Sequence, residues 1–201
     1  MRKVKDYYYK KAKKDKYPAR SVYKLEEAQA KYQIIKRGDS VLDLGCYPGS
    51  WSIYASELAG PKGLVVGVDL QQADQAGRTD GAPIQWLCQD IRDPEFIPMV
   101  KKIRPGFRVL ISDMAPRTTG NKWADAQNSI NLVYTSLEIA EQLLLNKGNY
   151  ICKVFQGEDF PKFVNEIKKR FTMAKVLKPK SSRIESREVF VLGTGYKKQT
   201  K

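Results

Sequence analysis

Four aspartates stand where apolar runs give way to polar sequence: Asp43 in LDLG, Asp69 in GVDLQ, Asp90 in CQDI and Asp113 in ISDMAP. A carboxylate at the tip of a second strand accepts from both hydroxyls of a ribose, and one beyond a third strand accepts from an exocyclic adenine amine. Together they describe a cleft for an adenosine-containing ligand. The turn after the first run, LDLGCYPGSW, spaces its glycines as Gly45-x-x-x-Gly49 with Pro48 between them. The dinucleotide fingerprint G-x-G-x-x-G, which cradles a pyrophosphate at a helix N-terminus, is therefore one glycine short. An acid-lined cleft repels a pyrophosphate but suits a ligand carrying a sulfonium and an ammonium, as S-adenosylmethionine does. An NAD-type dehydrogenase is disfavoured on both grounds.

The elements that must position these acids follow from hydrophobic spacing. Short apolar runs at 40–44, 64–68, 84–88, 108–112, 149–155, 172–177 and 188–192 alternate with helical segments at 50–59, 94–102, 125–146 and 159–170. That alternation predicts a doubly wound α/β fold with a parallel sheet whose carboxyl edge carries the ligand. The polar stretch KPKSSRIESR, 178–187, offers no helix between the last two runs, so the final strand is expected to return antiparallel. Val22, Leu25, Ala28, Tyr32 and Ile35 recur at helical spacing and predict an amphipathic helix over 20–35. Residues 1–17, MRKVKDYYYKKAKKDKY, read as a flexible or partly helical basic arm, and 18–201 as one domain without internal repeats.

Composition narrows the partner. Thirty-six basic residues against 22 acidic ones leave a formal charge of +14, which calls for a polyanion, most often nucleic acid. An acidic cleft cannot hold that polyanion, so the positive charge must lie outside it. Candidates are Lys3, Lys5, Lys10, Lys11, Lys13, Lys14 and Lys16 of the arm, Arg20, and Lys178, Lys180, Arg183 and Arg187 near the other end. Tyr7, Tyr8 and Tyr9 offer ring faces to unpaired bases. The chain has no histidine, which excludes a Ser-His-Asp triad, a histidine base and any histidine metal site. Cys46, Cys88 and Cys152 have neither zinc spacing nor a disulfide pattern and read as buried thiols in a reducing compartment. No apolar run approaches a membrane span, and the basic N-terminus lacks an apolar signal core, so a cytoplasmic location away from membranes is expected.

Seven blocks occur in order between about residues 20 and 196: ARSVYKLEE, VLDLGCYPGSWS, GVDLQ, QDIRD, SDMAP, ICKVFQGE and SREVFVLGTGYK. In these blocks the sequence resembles the RrmJ/FtsJ family of ribose 2′-O-methyltransferases. The resemblance implies a Rossmann-like class I methyltransferase fold with S-adenosylmethionine as donor. It also implies a Lys-Asp-Lys-Glu tetrad, which falls on Lys24, Asp113, Lys153 and Glu188. The implied cofactor site comprises Gly45, Gly49, Trp51, Asp69, Asp90 and Asp113, with no metal. Asp43 is expected to fix the turn or to meet the cofactor's amino-acid end. The sequence departs from the family in Cys46-Tyr47 and Ser50, and in Arg117 after SDMAP where asparagine is common. Tyr47 would narrow the methionine end of the pocket, and Arg117 would either reach a phosphate or lie on the surface. The implied activity is methylation of a ribose 2′-hydroxyl by a monomer, at a uridine of large-subunit ribosomal RNA or of the assembled subunit. The alternatives are a tRNA, an mRNA cap, or RNA binding in assembly with little catalysis.

The residue types suit that reaction. A ribose hydroxyl is a poor nucleophile, whereas a sulfonium methyl is already activated, so the enzyme must align the hydroxyl and stabilise or remove its proton. Without histidine, lysine is left for that work; acting as a base near neutrality would require its pKa to fall by roughly 3 units from 10.4. Lys153, between Cys152 and Val154 in an apolar strand, is the expected contact to the hydroxyl. Lys24 and Glu188 would hold it, with Asp113 between donor and acceptor.

Overall fold

The strand SVLDL is buried at every position, which requires cover on both faces of its sheet. The computed structural model supplies that cover and describes residues 2–73, 80–116, 119–182 and 186–198. In chain order the elements are α1 (Arg2–Lys14), α2 (Val22–Tyr32), β1 (Ser40–Leu44), α3 (Ser50–Ala59), β2 (Leu64–Asp69), β3 (Ile84–Cys88) and α4 (Phe96–Ile103). They continue with β4 (Phe107–Ser112), α5 (Lys122–Leu143), β5 (Leu144–Phe155), α6 (Phe160–Arg170), β6 (Phe171–Leu177) and β7 (Glu188–Tyr196). The seven strands form one sheet in the order β3-β2-β1-β4-β5-β7-β6. The pairings from β3 to β5 are parallel, and β7 runs antiparallel to both β5 and β6. The expected mostly parallel sheet with an antiparallel last strand is what forms.

Alternation along each strand divides the core in two. Leu42, Leu44, Val66, Val68 and Leu110 face α4, α5 and α6 through Phe96, Ile130, Leu137 and Phe163. Val41, Val65, Val109 and Ile111 face α2 and α3 through Leu25, Ala28, Trp51 and Ala55. A smaller cluster of Ala12, Val22 and Tyr23, flanked by Tyr8 and Tyr17, docks α1 on α2. The chain leaves β1 for β2 and β3 on one side, then returns to β4 on the other. The switch point opens a crevice above the carboxyl ends of β1 and β4, where an α/β sheet binds its ligand.

Two expectations need adjustment. The helix expected to reach residue 146 ends at Leu143, because Leu144 already pairs with Phe107 in the sheet. A register shift follows, with Lys147 at φ 61°. Cys46 and Cys152 are buried as expected, but Cys88 is exposed. It closes β3, the edge strand, which has only one neighbour to cover it. Among the described residues no helix is long and apolar enough to cross a membrane, and no cluster of acidic or cysteine ligands could hold a metal ion.

Candidate active site

The turn after β1 shapes the crevice. Gly45 adopts φ +77°, and its N–H and that of Cys46 donate to the carbonyl of Val68 at 2.8 and 3.1 Å. Gly49, at φ 109°, starts α3. The N–H groups of Tyr47 and Gln71 donate to Asp69 Oδ2 and Oδ1 at 3.1 and 3.0 Å, which fixes the carboxylate at the tip of β2. Asp90 lies beyond β3 in a two-pronged grip from Arg92, Nε to Oδ1 at 3.0 Å and Nη2 to Oδ2 at 2.7 Å. Those hydrogen bonds hold the Asp90 carboxyl below the usual range. Gly45, Tyr47, Asp69, Asp90 and Asp113 line one cleft of about 610 Å³, with α5 as its far wall.

Asp43 lies beneath this cleft, fully buried. Ser52 Oγ donates to its Oδ2 at 2.6 Å, while Oδ1 has no hydrogen-bond partner. Burial pushes this carboxyl up to about 7, against the Ser52 hydrogen bond and with help from the charges of Asp113 and Asp69.

Beside the cleft the four tetrad residues meet. Lys153 is only 7% exposed, in the last third of β5. Its Nζ lies 2.9 Å from Asp113 Oδ1 and also donates to the Asp113 carbonyl. Lys24 Nζ lies 2.7 Å from Glu188 Oε1 and 3.8 Å from the same Asp113 oxygen. That oxygen is out of line for hydrogen bonding and pairs with both lysines by charge. Topology explains the meeting. Asp113 follows β4, whose neighbour β5 carries Lys153, and antiparallel β7 starts at the carboxyl edge, setting Glu188 opposite Phe155 and Phe190 opposite Lys153. Burial alone would raise the Glu188 carboxyl. The charge and hydrogen bond of Lys24, the charge of Lys153 and the Ser182 hydroxyl together lower it instead.

Not every expected residue reaches the cleft. Trp51 is 2% exposed; its ring packs on Phe190 at 5.7 Å between centroids, and its Nε1–H donates to the Ser21 carbonyl at 2.8 Å. With Ser50 Oγ accepting from the Ala19 N–H at 2.7 Å, it anchors the start of the helix that carries Lys24. Gly49 shapes the turn without lining the cleft. Arg117 and Arg183 lie outside the described residues, as do the side chains of Lys3 and Lys5. Sequence reading missed Ser52, Ser182 and Glu27. Ser182 Oγ donates to Glu188 Oε1 at 2.9 Å, and Glu27 accepts the N–H groups of Lys180 and Ser181 at 2.7 and 2.9 Å. Glu27, one helical turn beyond Lys24, thus ties the β6–β7 connection over the tetrad. The KLEE block contains Glu27, but nothing local marks a partner some 150 residues away.

The sheet order, the acid-lined switch point and the adjoining lysines define a Rossmann-like α/β methyltransferase. The family described as FtsJ-like methyltransferase matches residues 17–196, and the chain belongs to that family. It is 74% identical over 201 residues to the ribosomal RNA large subunit methyltransferase E of Desulfotalea psychrophila, covering 100% of both chains. The protein of the same name from Desulforapulum autotrophicum is 46% identical over 194 residues, covering 96% of this chain and 93% of that one. A crystal structure of a Plasmodium falciparum protein named as a ribosomal RNA methyltransferase superposes with a TM-score of 0.78 at 26% identity, over 91% of this chain and 100% of that one. A chain of a fibrillarin/Nop5p complex, at 17% identity and a TM-score of 0.59, covers 85% of this chain and 79% of that one and shares the fold.

Trp51→Phe keeps the ring on Phe190 and removes only the bond to Ser21. It should lower Tm by about 2–4 °C, the effect of one hydrogen bond in a chain this long. Methyl transfer should fall severalfold with donor affinity unchanged; a tenfold loss of donor affinity by calorimetry would return Trp51 to the cofactor site. Asp43→Asn tests the buried acid. A carboxyl raised to about 7 in the fold binds its proton more tightly than the unfolded chain does, so native stability drops as pH rises from the usual carboxylate range to about 7. The Tm of Asp43→Asn relative to wild type should therefore climb across that window and level off above it. A constant difference would mean an ordinary carboxyl.

Proposed function

We propose that the protein transfers a methyl group from S-adenosylmethionine to a ribose 2′-hydroxyl of large-subunit ribosomal RNA, at a uridine, acting as a cytoplasmic monomer. The observation that carries this reading is the Lys153–Asp113–Lys24–Glu188 cluster beside an acid-lined cleft. Relatives named for large-subunit ribosomal RNA support the substrate class.

The cleft fits the donor by its chemistry. Among the described residues its acids outnumber its cations, and the one lining arginine, Arg92, is already paired with Asp90. Asp69 keeps lone pairs for a ribose diol, and Asp90, beyond β3, would accept from an adenine amine. Asp43 and Asp113 favour the positive sulfonium and ammonium. When bound, S-adenosylmethionine supplies a methyl already activated by its sulfonium. The protein aligns and stabilises the acceptor. An ammonium has three N–H groups; one donates to the Asp113 carbonyl, and the Asp113 carboxylate holds the group by charge. A remaining N–H meets the 2′-hydroxyl oxygen and stabilises the negative charge that develops there. Asp113 and the Lys24–Glu188 pair keep that ammonium from turning away.

RNA is gripped from α1. Lys10, Lys13, Lys14 and Lys16 are exposed, and Tyr7 and Tyr9 present rings 62% and 55% exposed. Tyr8 instead packs on Tyr23, and Lys11 is held by Asp15, Glu26 and the Tyr23 ring.

The first experiment is transfer of tritiated methyl from S-adenosylmethionine to ribosomal RNA, tRNA and ribosomal subunits. Label should enter large-subunit RNA at a linkage resistant to alkali. Lys153→Ala should slow transfer by roughly 10²–10³-fold, the usual effect of removing one oxyanion donor, with donor affinity intact. Label on a base, or label in tRNA alone, would sink the reading. Replacing Lys10, Lys13, Lys14 and Lys16 with glutamine should flatten the salt dependence of RNA binding by about 0.7 per lost contact. An unchanged slope would remove α1 from the interface.

A further inference from the structure

A second cavity, of about 290 Å³, lies on the other side of α5 from the cofactor cleft. Ala126, Gln127 and Ile130 of α5 line it, whereas Asn128, Asn131, Leu132 and Thr135 line the cleft, so the helix is a shared wall and the two linings have no residue in common. Its size falls at the small end of ligand pockets, roughly 300–1,000 Å³, room for one ring system. Trp123, in the first turn of α5, forms one rim with 67% of its surface exposed. Asn121 caps that turn, accepting from the N–H groups of Trp123 and Ala124 at 3.0 and 3.2 Å, so the indole rides on an ordered helix start. Phe155 and Phe160 supply further apolar wall, and Arg187, Glu158 and Asp159 supply polar edges.

The place of this slot gives it meaning. Phe155 lies two residues beyond Lys153 on β5 and pairs in register with Glu188, and Arg187 directly precedes Glu188. An RNA strand that brings a ribose to Lys153 therefore passes the slot. Two carboxylates at its edge disfavour a phosphate there. A neutral nucleobase has a face for Trp123, carbonyls for Arg187 and ring or amine N–H groups for Glu158 or Asp159.

We propose that this slot is a nucleobase subsite: an unpaired base of the RNA, adjoining the ribose to be methylated, stacks on Trp123 and is read at its edge by Arg187, Glu158 and Asp159. The proposal rests on the reading that the protein methylates RNA. Base stacking of this kind is worth about 10- to 100-fold in binding.

Acrylamide quenching of tryptophan fluorescence tests it: Trp51 is buried, Trp86 on β3 is partly exposed and common to both proteins, and the difference between wild type and Trp123→Phe isolates Trp123. The probes are a short uridine-rich single strand and an oligomer of equal length whose bases are all replaced by hydrogen. The intact strand should shield Trp123 and the baseless one should not. Trp123→Ala should lower kcat/KM for RNA by roughly 10- to 100-fold, with donor affinity unchanged and most activity restored in Trp123→Phe. Equal shielding by both probes, shielding by neither while the wild type methylates RNA, or full activity in Trp123→Ala would overturn the subsite. If the wild type methylates no RNA, the parent reading fails, while the two-probe comparison still decides whether the slot takes a base.

Discussion

A lysine in the middle of a sheet needs a countercharge, and much of this site follows from meeting that need. Taking an ammonium out of water costs several kcal/mol unless a carboxylate and further acceptors replace the solvent. Lys153 receives both from Asp113, one through the side chain and one through the backbone. Asp113 can serve because parallel β4 and β5 end together, Ser112 opposite Cys152. A single carboxylate shared by two lysines still leaves excess positive charge, and Glu188 removes it at Lys24. Two cations and two anions make a neutral cluster, which a half-closed site tolerates better than any odd number of charges. Only a strand running against its neighbours starts at the carboxyl edge, so the antiparallel course of β7 is what delivers Glu188.

The electrostatics of the molecule are divided on the same principle. A chain of net charge +14 lines one crevice with Asp69, Asp90 and Asp113 and presents lysines on the outer surface of α1. A cationic cofactor and a polyanionic substrate call for opposite fields, which a uniformly basic surface would not provide. An acidic crevice suits the first and a basic helix surface the second. The neutral tetrad lies beside the crevice, so it would oppose neither ligand's field.

What could be read in the sequence was local. An acid following an apolar run in an alternating β/α pattern falls on the carboxyl edge whatever the strand order, so Asp69, Asp90 and Asp113 were placed correctly without a structure. The tetrad needed a comparison of whole blocks, because Lys24 by itself is an ordinary helix lysine. Trp51 lies outside the lining of the cleft for a physical reason. Its position beside a glycine turn suggests a cofactor contact, yet the first turn of α3 packs it against the start of α2 and Phe190, a contact set by tertiary packing alone. Cys88 failed similarly, since no strand announces in its own residues that it is an edge. Glu27 and Ser182 act through backbone and hydroxyl contacts that carry no spacing rule.

Asp43 shows what the arrangement costs. Its buried carboxyl is raised to about 7 and one oxygen lacks a partner, an expense that a purely structural turn would avoid with an apolar residue or an amide. Ser52 relieves only half of it. A positive ligand above the turn would relieve the rest by favouring the ionised form, so the energy spent on folding is recovered on binding. By linkage, a cation that favours ionised Asp43 binds better as pH rises through its titration, while the free protein loses stability over the same range. Stability and affinity for such a cation would thus be opposed at this turn.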